Sequence, residues 1–248
     1  MKRYILLIIL ITLMAMLNAV IDIRVDVETG IAVPGYNDAK IPNDDSHDEF
    51  SLKDDLGIKP ALHTRLNIHW RPAPHHQISL MATPLTLKGE GKFDRNIRYM
   101  DKTFFAGEQI DVSYRFDSYR LQYRYIFAKP VLGFIRSVGA AGKIRDAEIK
   151  LSTTGNKEAT KTNTGFVPLL NVDMGYRYSP DLDFVLEAEG LGSPYGRAED
   201  IFLGAVYNLK DNLDVKAGYR LLEGGSDAGE VYTFAAVHYG VLGFIVRF

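Results

Sequence analysis

Nine charged side chains stand at alternate positions in otherwise apolar segments: Arg65 and Arg71, Asp173 and Arg177, Glu187 and Glu189, and Asp214, Lys216 and Arg220. Successive side chains of an extended chain point to opposite faces, so each set shares one face of its segment. Two kinds of chemistry suit such faces. Interspersed opposite signs can close into a network of ion pairs and hydrogen bonds, whereas charges lining a wet passage select ions. Glu187 and Glu189 are spaced as paired carboxylates, but no other feature of their segment directs them to acid–base work.

Four histidines, His63, His69, His75 and His76, cluster in one stretch. Only His63 and His69 share a face, and six residues of strand separate them by roughly 20 Å, too far to hold one metal ion together. Ser79 lies on the opposite face from His76, so that pair is not a nucleophile with its base. The acidic stretch 37–55 has Asp38, Asp44, Asp45, Asp48, Glu49, Asp54 and Asp55, without the central glycine and terminal glutamate of a calcium loop. It reads as a solvated outer loop. There is no nucleophile elbow, His-Glu-x-x-His, phosphate loop or cysteine, so neither a cofactor, a metal nor an enzymatic activity is expected.

The elements that must position these groups are strands. From Val20 onward the period is two: Ile21, Ile23, Val25 and Val27 alternate with Asp22, Arg24, Asp26 and Glu28, and Leu66, Ile68 and Trp70 with Arg65, Asn67, His69 and Arg71. The pattern recurs in "LLNVDMGYRY" (169–178) and "LDVKAGYRL" (213–221). Ten strands are expected: 20–36, 59–71, 75–87, 105–127, 131–150, 164–178, 182–191, 195–209, 212–222 and 229–248. Short breaks near 71–76, 128–130, 179–182 and 210–212 alternate with long polar stretches at 37–58, 88–105 and 150–163 and a shorter one at 223–229. "GSPYG" (192–196) is a short turn where a long loop is due. In "IDVSYRFDSYRLQYRY" the apolar positions shift from even to odd at Asp117-Ser118, which predicts a β-bulge there; a hairpin would make the strand count odd.

Composition is 46% apolar and 24% charged with net charge −2, and no basic cluster supports nucleic-acid binding. Residues 1–19 fit a cleaved signal peptide: Lys2 and Arg3, an apolar run from Tyr4 to Leu17, and Ala19 as the cleavage residue. Residues 20–248 then form one domain. At the far end, Phe244, Val246 and Phe248 share a face with Arg247 on the other, and an aromatic in last place needs an apolar medium beside it.

Alternation also serves a soluble sandwich. The heavily charged face, the 14 tyrosines and 13 phenylalanines concentrated near strand ends, and the export signal favour instead an all-β, transmembrane, antiparallel up-and-down barrel of about ten strands, with eight or twelve as the neighbouring even counts. Signal peptide, strands over the whole mature chain and the ending "GFIVRF" resemble the small outer-membrane β-barrel proteins of Gram-negative bacteria. "GFVPLLNV" (165–172), "SPYGRAEDI" (193–201) and "GYRLLEGGSDAGEVYTF" (218–234) resemble segments of an uncharacterised group of them. The resemblance implies an outer-membrane location and surrounding lipid and lipopolysaccharide. It also implies a final strand, carrying Phe244, Val246 and Phe248, that the barrel-assembly machinery reads. The expected role is non-enzymatic and structural, in a monomer with at most a narrow polar pore for ions or small solutes. The alternatives are a surface adhesin acting through its outer loops and a barrel-embedded hydrolase.

Overall fold

The computed structural model describes residues 22–248, and the expected signal peptide lies outside them. The elements are β1 (Asp22–Lys40), β2 (Phe50–Ser51), β3 (Ala61–Ala73), β4 (His76–Thr83), β5 (Thr86–Gly91), β6 (Ile97–Tyr99), β7 (Lys102–Phe104), β8 (Ile110–Val131), β9 (Ile135–Thr153), β10 (Glu158–Ser179), β11 (Leu182–Ser193), β12 (Gly196–Lys210), β13 (Leu213–Ala228) and β14 (Val231–Arg247). β4 and β5 are one strand interrupted at Pro84-Leu85, and β2, β6 and β7 belong to the outer connections. Ten antiparallel strands therefore make the wall, each beside its neighbour in sequence. β14 pairs back onto β1 from Arg24↔Arg247 to Lys40↔Tyr232 and closes the sheet. Closure leaves no backbone edge facing hydrocarbon along the joined strands, the condition for crossing a bilayer with strands.

Side-chain chemistry inverts partway up the wall. On the lower part of β8, Tyr119, Leu121 and Tyr123 point outward and are exposed, while Ser118, Arg120 and Gln122 point inward and are buried. On the upper part of the same strand, Ile110, Val112 and Tyr114 are buried inside and Asp111 faces out. Similarly, β9 presents Val138 and Ile144 outward below but buries Ile149 and Leu151 inside above. The lower half is thus polar inside and apolar outside, as lipid demands; the upper half is apolar inside and polar outside, as water demands.

This corrects the expected bulge at Asp117-Ser118. The register from Ile110↔Thr153 to Ile126↔Ser137 runs without a shift, and Thr83↔Ser118 and Thr86↔Arg115 continue one ladder across the Pro84-Leu85 break. The apolar positions change parity because the medium outside changes from lipid to water while the backbone alternates unbroken.

The outer connections differ from expectation too. Within 37–58, Ile41, Phe50, Leu52, Leu56 and Ile58 are buried, and Phe93, Ile97, Tyr99 and Phe104 of the 92–104 segment join them in one core with β5 and the tops of β8 and β9. Phe50 meets Phe93 and Tyr99 edge-on with ring centroids 5.5 Å apart, and the Tyr99 hydroxyl donates to the Ile149 carbonyl at 2.9 Å. The acidic stretch is therefore a packed cap that keeps its carboxylates in water, not a free loop. Residues 150–163 and 223–229 are mostly strand, because β9, β10 and β13 rise well beyond the apolar belt.

Candidate functional site

In the lower half, the period that turns apolar side chains to lipid turns charged ones into a lumen too narrow to keep them apart. Arg220 on β13 donates through Nη2 to Glu28 Oε1 at 2.7 Å and through Nη1 to Asp200 Oδ1 at 2.8 Å. Asp200 on β12 also receives Arg65 Nη2 at 2.6 Å from β3 and lies 2.7 Å from Arg120 Nη2 of β8. Arg120 pairs in turn with Glu189 on β11, which accepts from Gln122 Nε2 at 2.8 Å. Lys216 Nζ joins Glu28 at 2.6 Å and Asp26 at 3.1 Å, with Glu187 3.8 Å away. The Phe202 ring sits beneath two of these cations, 4.5 Å from Lys216 Nζ and 5.0 Å from the Arg220 guanidinium carbon.

Most of these charges are buried: Glu28 is 0% exposed, Lys216 1% and Arg220 2%. Ions removed from water are tolerated only when paired and hydrogen-bonded, and each of these is held by two or more partners or by a bidentate contact. Asp200 on β12 and Arg120 on β8 lie four strands apart around a wall of ten, so their contact crosses the lumen. The polar cavity left beside the cluster is about 30 Å³, room for very few waters.

Of the nine charged residues singled out, five, Arg65, Glu187, Glu189, Lys216 and Arg220, meet in this cluster. The other four lie toward the end of the wall where Asp22 and Phe248 sit. Arg71 is half-buried, 3.5 Å from Asp22; Asp173 receives Arg136 Nε at 2.7 Å; Asp214 pairs with Arg247. Arg177 is exposed on the rim, where it donates to Asp183 at 2.9 Å, so it does not line the lumen. Asp26, Glu28, Arg120, Gln122 and Asp200 complete the cluster. They stand on the polar side of the same two-residue alternation, in "DIRVDVE", "YRLQYRY" and "AEDIFLG".

The histidines separate. His63 packs on Tyr239 with ring centroids 4.4 Å apart; His75 Nδ1 lies 2.8 Å from the Ile126 carbonyl and His76 Nδ1 2.8 Å from the Tyr123 hydroxyl. His69, the register partner of Ser79, has Nδ1 2.8 Å from the Ser79 hydroxyl. Ser79 is 1% exposed and also receives Gln77 Nε2 at 3.2 Å, so this hydroxyl is enclosed by its own neighbours. Among the described residues no group of three or more His, Cys, Asp or Glu is placed to hold a metal ion.

Phe244 and Phe248 face outward, 47% and 74% exposed, at the end of β14. The Phe248 amide donates to the Ile23 carbonyl at 2.9 Å, tying the last residue to the first strand. Val246 pairs with Val25 on one side and Leu213 on the other.

A second charged group lies on the outer wall just beyond the apolar belt. Arg197 of β12 donates to Glu223 of β13 from Nε at 3.0 Å and from Nη2 at 2.5 Å, and the Tyr36 hydroxyl donates to the same carboxylate. The Arg197 hydrogen bonds hold Glu223 down at about 2, whereas Glu199, its register partner, is raised to about 7 by sharing a hydrogen bond with Glu223 and by partial burial.

No family model matches the chain, and no curated protein matches it. Among solved structures, it is similar to the outer membrane protease OmpT from Escherichia coli, with TM-score 0.57 and 9% identity over 92% of this chain and 97% of that one. It is also similar to Ail, the attachment invasion locus protein of Yersinia pestis, with TM-score 0.41 and 11% identity over 91% of this chain and 99% of that one. At such identities the likeness is one of architecture. The chain has the fold of the small Gram-negative outer-membrane β-barrels: closed, antiparallel, up-and-down and ten-stranded.

Proposed function

We propose that this chain is an integral outer-membrane barrel, non-enzymatic, whose lumen is sealed to ions and solutes and whose working surface is the folded outer half. The observation that carries this reading is the buried line of contacts from Glu28 through Arg220 and Asp200 to Arg120 and Glu189. An ion entering it must break charge-assisted bonds in a space with room for very few waters to replace them, a barrier unlike the open charged ring of a selective pore. This favours the closed end of the expected range, which ran up to a narrow polar pore. Against a hydrolase, the Ser79 hydroxyl is held between His69 and Gln77 and buried from any substrate. In this reading lipid and lipopolysaccharide surround a monomeric barrel, and the assembly machinery engages Phe244, Val246 and Phe248 during insertion.

Planar-bilayer recording of the purified, refolded protein tests the seal. Silence from correctly folded barrels is expected. Discrete conductance steps that change when Arg220 is neutralised would establish a narrow channel instead.

A further inference from the structure

Above the charge cluster, the outer half encloses a cavity of about 350 Å³, within the size range of small-ligand sites. Its walls are mostly apolar, with Tyr114, Phe116, Ile149, Leu222, Val231 and Val237 among them. Four cations and two carboxylates also line it: Lys161 is paired with Glu230, Arg197 with Glu223, and Glu148 lies 3.8 Å from Arg115, which leaves Lys143 and Arg145. Lys143 of β9 is 3% exposed, and among the described residues it makes no ion pair or hydrogen bond; its ammonium lies 5.0 Å from the centre of the Phe116 ring. Its cross-strand neighbour is Arg120, whose guanidinium is already bound to Glu189 and Asp200. Two residues up the strand, Arg145 has, among the described residues, only the Asn163 side-chain oxygen as a partner, and its buried Nε has none. The cluster cations Arg65, Arg120, Lys216 and Arg220 each bridge a carboxylate, but among the described residues these two bridge none. A buried cation without a counterion is costly, and a mostly apolar cavity beside the buried Lys143 and the half-buried Arg145 is completed by an anion.

The same cavity reaches a break in the wall. β10 pairs with β11 only from Leu170↔Gly190 downward; above this, β10 is joined to β9 alone, and Leu191–Ser193 of β11 to β12 alone. The short Ser193–Gly196 hairpin, where a long loop was due, ends β11 below the top of β10 and leaves this seam. Pro168, which has no N–H to offer a ladder, falls on its β10 side, and Gly165 leaves room there for the Arg145 guanidinium, 3.3 Å from where a Cβ would stand. Phe166 and Leu170, 68% and 63% exposed, place the seam at the outer margin of the lipid-facing belt.

We infer that the chamber is a binding site for a single-chain amphiphile with an anionic head, which enters through the β10–β11 seam from the adjoining leaflet. The head, a carboxylate or a phosphate, rests on Lys143 and Arg145, and the alkyl chain lies along the apolar wall. Binding requires no conduction, so this site stands or falls apart from the sealed lumen.

The test uses the full protein in phosphatidylcholine nanodiscs, with a diazirine-labelled fatty acid and its uncharged alcohol analogue, mapping cross-linked residues by mass spectrometry. The acid is expected to label chamber residues such as Leu222 and Val237, and the alcohol only the belt around Phe166 and Leu170. K143Q/R145Q should cut chamber labelling about tenfold, the loss of charged hydrogen bonds, while belt labelling and heat-modifiable gel mobility stay unchanged. V167W, which narrows the seam, should do the same with both cations intact. Competition by dodecanoate stronger than by dodecyl phosphate would point to free fatty acid as the source, and the reverse order to a phospholipid. Equal chamber labelling by acid and alcohol, labelling indifferent to both variants, or displacement by inorganic phosphate alone would overturn the proposal.

Discussion

Arg220 on β13 and Asp200 on β12 face each other 2.8 Å apart inside the barrel, and each is 3% exposed or less. Arg220 hydrogen-bonds both Asp200 and Glu28 and so joins the two carboxylate centres of the cluster, with Arg65 bonded to Asp200 and 3.9 Å from Glu28 beside it. Arg220→Met keeps the bulk but leaves Glu28 short of its bidentate partner. Breaking a buried pair from one side costs about 3–5 kcal/mol, and that loss is expected in urea unfolding of the refolded protein. A change below 1 kcal/mol would mean that water solvates the cluster.

The inversion along β8 predicts opposite tolerance at two outward positions of one strand. Leu121→Arg puts a charge into the lipid belt and should destabilise the barrel by about 2–4 kcal/mol. Asp111→Leu, ten residues up the same face, lies in water and should stay within about 0.5 kcal/mol. Equal costs, measured by folding titrations in lipid vesicles, would mean that the belt boundary is misplaced.

Phe93 is 1% exposed at the centre of the outer core, edge-on to Phe50. Phe93→Ala should remove about 3–5 kcal/mol of packing from the cap. Because belt and charge cluster lie below it, limited proteolysis is expected to cut within 92–109 while the spanning barrel survives as a protected fragment. A cap that stays resistant would show that strand pairing, not this core, holds it.

The outer-wall carboxylates give a pH dependence with a definite sign. Glu199 is raised from 4.5 to about 7, so its contribution is complete below about 4.5 and is lost as pH climbs through 7. Glu223 is lowered to about 2, so its contribution is present above about 4.5 and is lost only as pH falls through 2. Thermal stability should therefore decline between pH 5 and 8, by a modest amount because Glu199 is partly exposed, and Glu199→Gln should flatten that decline. Identical pH profiles for the two proteins would remove the shared hydrogen bond from the account.

Strand number, the direction of the apolar belt and the charged lumen were legible in the chain because side-chain alternation is local: each residue's face follows from its neighbours two positions away. The same rule was legible at Asp26, Glu28, Arg120 and Asp200, though which carboxylate each cation meets depends on strands up to four places apart around the wall. Arg177 shows the limit, since its alternation matches Asp173 exactly as a lumen residue's would, yet it lies on the exposed rim.

By itself, then, the sequence determined a ten-stranded barrel with one charged face. Only the tertiary structure decided where lipid ends and water begins, which turns the parity change at Asp117-Ser118 from a bulge into a boundary and the acidic stretch 37–58 from a loop into a cap. Closure decided it as well that Asp200 would join Arg65, Arg120 and Arg220, and that the short Ser193–Gly196 hairpin would open a seam beside Lys143 and Arg145. The physical reason is that alternation specifies a side, whereas depth in the membrane and partners across the lumen arise only when the tilted strands are joined in register and the last is paired with the first.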